Sequence, residues 1–141
     1  MSYLLDTNVV SEPMKPAPDA GVVAWLADAD EANLYLSAVS FAELRRGVER
    51  MASGHRRDRL DAWLQEDLAE RFAGRILPVD LVVAGQWGRI VVQRERRGRP
   101  IGHMDALIAA TARVHSLTLV TRNAADFEFV VEKVLNPWAV A

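Results

Sequence analysis

The feature that most constrains the fold is the alternation of short apolar segments with amphipathic helical segments along the chain. Short strands are predicted, in chain order, at residues 2–5, 34–37, 75–79, 117–120 and 133–135. Helical segments separate them, including a long helix predicted over about residues 56–73, and this alternation is typical of a parallel sheet with helices on both faces. Pro78 places the third strand at an edge of the sheet or near a strand end. We therefore predict one α/β domain over residues 1–141, with a short, largely parallel central sheet in an α/β/α sandwich.

Composition supports one globular domain and excludes several kinds of chemistry. The chain has 141 residues, half of them hydrophobic, and contains no cysteine. Disulfide frameworks, thiolate zinc sites, iron–sulfur clusters and cysteine nucleophiles are therefore excluded. The sequence has no apolar run of membrane-spanning length and no signal-peptide pattern at MSYLLDTNVV, so we expect a cytoplasmic protein without a membrane partner.

Acidic residues fall where the carboxyl ends of the predicted strands should meet. Asp6 directly follows the first strand, Glu43 lies one short turn after the second, and Asp126 follows the fourth. Asp105 begins the helix that leads into the fourth strand. Ligand sites of open α/β sheets lie at this edge. Four carboxylates can share a small site when they protonate, spread apart or bind a cation, and oxygen ligands favour Mg²⁺ or Mn²⁺.

Three of these acids also have a purely structural interpretation. Ser40 and Glu43 have the spacing of a capping box that would start a helix at Ser40. Asp126 follows Asn123 by three residues and could likewise complete a cap. Asp105 could complement a helix dipole. Capping and metal binding are compatible, because a helix N-terminus also stabilises a carboxylate.

For the remaining acids and for the histidines, the sequence distinguishes a structural from a functional role more clearly. No capping role is evident for Asp6, which makes it the hardest of the acids to explain structurally. Asp19 and Asp80 each precede a predicted helix and are best interpreted as N-caps. The histidines lack metal-binding spacing, although one of them lies two residues before Asp105 and could line the site; they are His55, His103 and His115.

Arginines are concentrated in two stretches of an otherwise nearly neutral chain. The 17 basic residues oppose 19 acidic ones, for a net charge of −2, and only Lys15 and Lys133 are lysines. The stretches at residues 45–59 and 89–99 could bind an anionic polymer locally. The alternative, solvated helix faces with salt bridges, remains open at this point.

Four motifs together resemble the PIN-domain ribonucleases, and most closely the VapC and FitB toxins of bacterial toxin–antitoxin pairs. The motifs are LLDTNVVSE at the N-terminus, SAVSFAELRRG at 37–47, PIGHMDALIAATA at 100–112 and VTRNAADF at 120–127. Their order, spacing and flanking residues match the family over nearly the whole chain. RILPVD at 75–80 and NPW at 136–138 resemble the FitB-type branch.

The resemblance implies a four-carboxylate catalytic site made of Asp6, Glu43, Asp105 and Asp126. It implies that Asp6 and Asp105 bind Mg²⁺ or Mn²⁺ directly, that Asp126 binds directly or through water, and that Glu43 helps to hold the metal or its water. Polar residues at matching positions are expected to support these ligands, and they are Asn8, Ser40, Thr121 and Asn123.

The resemblance also implies a reaction and a set of partners. It implies metal-dependent hydrolysis of RNA, of which transfer RNA or another structured RNA is the expected substrate, with 5′-phosphate and 3′-hydroxyl products. It implies a homodimer, inhibition by a VapB- or FitA-like antitoxin, and contact with DNA only through that complex. The arginines expected to contact RNA or antitoxin are Arg45, Arg46, Arg97 and Arg99.

Two other classes of function compete with this interpretation. A phosphatase of the haloacid-dehalogenase type or a receiver domain would also place an acid after the first strand. The phosphatase would need a second Asp two residues later, where Asn8 stands, and a matching Lys. A non-catalytic α/β interaction module would use the acids as caps and the arginines for protein contacts.

Overall fold

The sheet has five parallel strands in the order β3-β2-β1-β4-β5. The computed structural model describes residues 1–139. The strands are β1 (Tyr3–Leu5), β2 (Leu34–Ser37), β3 (Ile76–Leu77), β4 (Thr118–Val120) and β5 (Val134–Leu135). The predicted number, order along the chain and parallel pairing of the strands are confirmed, and β3, which precedes Pro78, is an edge strand as predicted.

Helices fill the connections between the strands. They are α1 (Thr7–Ser11), α2 (Ala20–Asp28), α3 (Ala38–Glu49), α4 (His55–Ala62), α5 (Ala69–Arg71), α6 (Leu81–Arg96) and α7 (His103–Val114). Short 3₁₀ turns occupy Glu12–Met14, Glu31–Asn33 and Ala124–Phe127. The predicted caps of α2 and α6 are confirmed, because Asp19 accepts a hydrogen bond from Val22 N (3.1 Å) and Asp80 from Val83 N (2.9 Å).

The structure differs from the sequence-based prediction at three helices. Helix α3 begins at Ala38 rather than Ser40, because Ser37 is its N-cap and accepts a hydrogen bond from Val39 N. The helix predicted over residues 56–73 is interrupted by a wide π-helical turn at Trp63–Leu68. Helix α1 was not predicted at all, since five residues are too few to display helical periodicity.

The core consists of two layers, one on each face of the sheet. Leu4 and Leu119 point to the face covered by α6 and α7, where Ile90 and Ile108 are also buried. Leu5, Leu36 and Val120 point to the opposite face, which is covered by the helices between α1 and α5. Because side chains alternate along a strand, each short apolar strand supplies both layers.

Strand order places a topological switch point beside β1. The chain moves from β1 outward to β2 and β3, and it then returns to form β4 on the other side of β1. Such a switch point leaves a crevice at the carboxyl ends of the strands. Leu5 is in register with both Leu36 and Val120, so the residues that follow these three strands start level with one another. Across residues 1–139, every helix is too short or too polar to traverse a bilayer.

Candidate active site

Asp6 lies at the centre of this crevice, and its carboxylate is held at both oxygens. Its side chain is 5% exposed. Oδ1 accepts a hydrogen bond from Thr7 N (2.7 Å), and Oδ2 accepts one from the hydroxyl of Thr121 (2.7 Å). Asp6 is therefore the N-cap of α1, a role that sequence analysis missed together with the helix itself. Burial raises the pKa of Asp6, the two hydrogen bonds lower it, and the charge of Glu43 raises it further.

Two asparagines connect the loops around Asp6. The Asn8 side-chain amide lies 3.5 Å from Asp6 Oδ2, and its Oδ1 accepts a hydrogen bond from Arg122 N (3.3 Å). Asn123 donates its backbone N–H to the Thr121 hydroxyl (3.1 Å), and its carbonyl accepts from Asp126 N (3.0 Å). The predicted supporting residues around Asp6 and Asp126 are thus brought together, with Asn123 acting through its backbone.

Thr7 connects the first strand's loop to the third helix. Its hydroxyl donates to Glu43 Oε1 (2.7 Å) and lies 3.0 Å from Ser40 Oγ. Ser40 is fully buried inside α3. The capping box predicted from Ser40 and Glu43 is therefore wrong, because both residues lie within the helix and face Thr7 instead of the helix N-terminus. The half-buried carboxylate of Glu43 is thus tied to Thr7, the residue that follows Asp6.

Asp105 and Asp126 complete the acidic group from the other side of β1. Asp105 is in the first turn of α7, and Asp126 is in the exposed 3₁₀ turn after β4. Burial raises the pKa of Asp105, and the charges of Asp6 and Asp126 raise it further. Because Asp6 is in turn affected by Glu43, the four carboxylates form one electrostatically coupled group.

Arg94 holds the segments that carry these last two acids. This half-buried guanidinium donates from Nε to the carbonyl of Arg99 (2.7 Å) and from Nη1 to the carbonyl of Asp126 (2.8 Å). The first carbonyl belongs to the turn that leads into α7, and the second belongs to the 3₁₀ turn. Nothing in the sequence distinguishes Arg94 from the other arginines of its stretch, because only the folded chain brings position 94 next to position 126.

The site suits a hard divalent cation and leaves it open to solvent. Its acidic side chains offer only oxygen ligands, which Mg²⁺ and Mn²⁺ prefer. Within residues 1–139, no three acidic, histidine or cysteine side chains converge closely enough to enclose an ion.

Several predicted contact residues lie outside this group. Arg45 forms ion pairs with Asp61 (2.6 Å) and Glu49 (3.4 Å), so it joins α3 to α4. Arg46, Arg97 and Arg99 are exposed. His103 packs edge-on against Trp87, with ring centroids 5.5 Å apart, and its carbonyl accepts from the indole N–H (3.2 Å).

Comparison with known proteins assigns this chain to a family. The family model described as "PIN domain" matches residues 3–131. The chain therefore belongs to the PIN-domain family.

Within that family, the chain is similar to toxins. It is 44% identical over 135 residues to the toxin FitB of Neisseria gonorrhoeae, covering 96% of this chain and 97% of that protein. It is 39% identical over 138 residues to the VapC ribonuclease Y4jK of Sinorhizobium fredii, covering 98% and 99%. The solved structure of FitAB bound to an IR36 DNA fragment contains a chain that matches with a TM-score of 0.92 and 40% identity, covering 99% of this chain and 97% of that one. The predicted resemblance to VapC and FitB toxins is confirmed.

Proposed function

We propose that this chain is a metal-dependent endoribonuclease and the toxin of a toxin–antitoxin pair. The observation that carries the proposal is the coupled group of carboxylates at the switch point of the parallel sheet. Asp6, Glu43, Asp105 and Asp126 come from four separate segments, and their charges act on one another across the crevice. Acidic side chains that raise one another's pKa would be stabilised in their charged form by a bound cation. The name of the VapC ribonuclease relative supports RNA as substrate.

The acidic residues would have different roles in cation binding, according to how buried each one is. Asp6 and Asp105 would hold Mg²⁺ or Mn²⁺ directly, and the exposed Asp126 would bind directly or through water. When bound, the cation would lower the pKa of water and offset the charge that develops on the phosphate. Thr121 and the Thr7 N–H fix both oxygens of Asp6, so the ligand is preorganised before the cation arrives.

Glu43 would orient the attacking water. Its Oε1 is held by the Thr7 hydroxyl, which leaves the second carboxylate oxygen free to accept a proton from water. Addition of water to phosphorus would break the bond to the 3′ oxygen of the preceding ribose. The products would carry a 5′-phosphate and a 3′-hydroxyl, and transfer RNA or another structured RNA would be the substrate.

An antitoxin would bind in the apolar groove beside Glu43. This groove of ≈ 290 Å³ lies between the segment after α1, α3 and α4. Its apolar side chains are Met14, Leu44, Val48, Met51, Leu60 and Trp63. An antitoxin segment of the VapB or FitA type would place apolar side chains there and a cationic one against the carboxylates. The DNA in the FitAB structure supports DNA contact through such a complex.

A substitution at Gly47, which lines this groove, tests whether the antitoxin binds there. A Cβ built at Gly47 meets nothing within 4 Å, so Gly47→Leu fills the groove without disturbing the fold. The variant should cleave RNA as the wild type does and should resist inhibition by added antitoxin that was purified with the wild type. Inhibition equal to that of the wild type would exclude the groove as the antitoxin site.

Pairing with a second copy would cover the exposed apolar face of α6. Leu81 is 88% exposed, and Val82 and Val92 follow on the same helix. Exposed apolar groups of this density indicate an interface. Val82→Asp should convert a dimer to a monomer in light scattering, and a wild type that is already monomeric would contradict the homodimer.

The function itself is tested by cleavage of total cellular RNA with antitoxin-free protein and Mn²⁺ or Mg²⁺. Asp6→Asn, Asp105→Asn and a chelator serve as the three negative controls. Discrete cuts with 5′-phosphate ends that vanish in all three controls are expected. Cuts that survive both substitutions would contradict the proposal. A folded wild type that never cuts RNA would favour a binding module, whose acids serve as caps, as Asp6 does for α1.

A further inference from the structure

Phe129 is displayed to solvent in a backbone conformation that side chains rarely adopt. Its ring is 80% exposed, and its φ is +66°. The backbone is fixed there because Val130 N and Val131 N both bond to the carbonyl of Phe127, which turns the chain back into the core. Packing does not account for a large aromatic ring at this position, since the buried neighbours already anchor the turn. Strained residues of this kind cluster at ligand-binding sites.

A guanidinium faces the exposed ring. The Arg97 guanidinium carbon lies 5.7 Å from the centroid of the Phe129 ring. Arg97 is the C-cap of α6, three residues beyond Arg94, which holds the carbonyl of Asp126. Phe129 in turn follows Asp126 by three residues. The ring and its guanidinium are therefore connected to the acidic group by two short, hydrogen-bonded segments.

The concave surface next to the ring is polar and carries cations. It encloses ≈ 670 Å³, and Phe129 lines it together with Arg113, Lys133 and the acidic Glu132. Two cations and one anion give this concavity a net positive charge, to which Arg97 adds at the rim. Aromatic faces beside cationic grooves bind single-stranded nucleic acid, because bases stack on the ring and phosphates pair with the cations.

We propose that Phe129 and Arg97 bind a nucleotide of the RNA strand at a distance from the cleaved phosphodiester, toward the amino ends of β4 and β5. Its base stacks on the Phe129 ring, its phosphate pairs with Arg97, and the strand continues past Arg113 and Lys133. This inference rests on the proposed ribonuclease function. In this proposal the substrate also contacts a surface of the protein outside the four carboxylates. RNA binding there would explain both the exposure of the Phe129 ring and its strained backbone.

The test measures binding of a fluorescein-labelled single-stranded RNA of about 12 nucleotides to full-length protein. All proteins carry Asp6→Asn and are kept in chelator, so the RNA stays intact. Phe129→Ala should weaken binding about tenfold, and Phe129→Tyr should restore it, since both aromatic rings stack. Arg97→Gln should weaken binding and reduce the slope of log affinity against log salt by about one. Arg71→Gln removes the same charge outside both arginine-rich stretches, where Arg71 pairs with Glu31, and should leave both quantities unchanged.

Cleavage by the protein without Asp6→Asn separates this inference from the function on which it rests. If that protein cleaves RNA while Phe129→Ala and Arg97→Gln bind as tightly as their parent, the surface is not an RNA site and the ribonuclease stands. If the two variants lose dimer or antitoxin binding but keep RNA affinity, the surface serves a protein and the inference is overturned. If the unsubstituted protein neither binds nor cleaves RNA, both proposals fail.

Discussion

The hydroxyl of Thr121 donates a 2.7 Å hydrogen bond to the buried Oδ2 of Asp6, across 115 positions of sequence. The two residues directly follow paired strands, because Leu5 is in register with Val120. Parallel pairing thus places a neutral donor against the most buried acid of the site. That donor lowers the pKa of Asp6 against the raising effect of burial, so it favours the charged form that binds a cation.

Replacing this hydroxyl by a methyl group should impair the site without unfolding it. Thr121→Val keeps the volume but leaves Asp6 Oδ2 without its donor, so the pKa of Asp6 rises further. Cleavage at neutral pH should fall about 10- to 100-fold, the usual range for residues that support a metal ligand. Thr121→Ser retains the donor and should stay near the wild-type rate. Equal rates for Thr121→Val and the wild type, measured at saturating Mn²⁺ and at limiting Mn²⁺, would contradict this role.

The elements that the sequence predicted are those whose signal is local. Alternating apolar segments predicted all five strands, and Asp19 and Asp80 were recognised as caps from the residues next to them. Helix α1 was not predicted because its five residues are too few to show helical periodicity. The π-helical geometry of Trp63–Leu68 was not predicted because one extra residue in a helical turn leaves the hydrophobic pattern of the helix nearly unchanged.

The contacts that the sequence could not predict join distant segments. Thr7 contacts Glu43, and Arg94 contacts the carbonyl of Asp126, over 36 and 32 positions respectively. The candidate acids were identified because each follows a strand, and parallel strands end at the same edge. Their partners have no such marker, since donors such as Thr and Arg occur throughout the chain.

Removing one charge from the acidic group should stabilise the metal-free protein. Burial and two neighbouring acids raise the pKa of Asp105 above its unfolded value. A raised carboxyl pKa favours the folded state at low pH, and this contribution is lost as pH rises through the raised pKa. Asp105→Asn should therefore raise Tm at pH 7 in chelator by about 2–4 °C. The gain should vanish below about pH 4, where carboxyls are protonated.

Asp80→Asn is the matched control for that experiment. It removes a charge from a helix cap, and Asn caps helices about as well as Asp does. It should leave the Tm near that of the wild type across the same pH range. An Asp105→Asn protein that melts below the wild type at pH 7 without metal would show that the carboxylates do not repel one another.

Removing the hydrogen bonds that Arg94 donates should reduce the rate of cleavage, because Asp126 would no longer be held in position. Arg94→Met removes both hydrogen bonds to the carbonyls of Arg99 and Asp126 while keeping an unbranched apolar chain in place of the arginine stem. We expect a loss of about tenfold in kcat/KM and a higher Mn²⁺ requirement, because an exposed ligand depends on its loop. Arg96→Met, which removes an exposed arginine two positions along α6, is the control. An unchanged Mn²⁺ requirement in Arg94→Met would argue against the positioning role.

Gly21 tests how the C-terminal segment docks on α2. A Cβ at Gly21 would lie 2.5 Å from Ala139 N and 2.6 Å from the carbonyl of Pro137, where Ala139 N also donates to Asp19. Gly21→Ala should cost about 1–3 kcal/mol in urea unfolding, because backbone atoms on both sides must move. Gly47→Ala is the contrasting helical glycine with open space, and it should stabilise by about 0.5–1 kcal/mol. Equal effects of the two substitutions would mean that the segment is not docked there.

The measurement that tests the central claim most directly is the rate of RNA cleavage as a function of Mn²⁺ concentration. It is made on one mapped RNA with the wild type, Asp105→Asn and Asp80→Asn. Asp105 belongs to the coupled acidic group, whereas Asp80 caps α6. We expect saturable activation for the wild type and Asp80→Asn, and a loss of at least about 100-fold for Asp105→Asn at every concentration. Cleavage that needs no divalent cation, or that is lost equally in both variants, would contradict a metal-dependent ribonuclease site at these carboxylates.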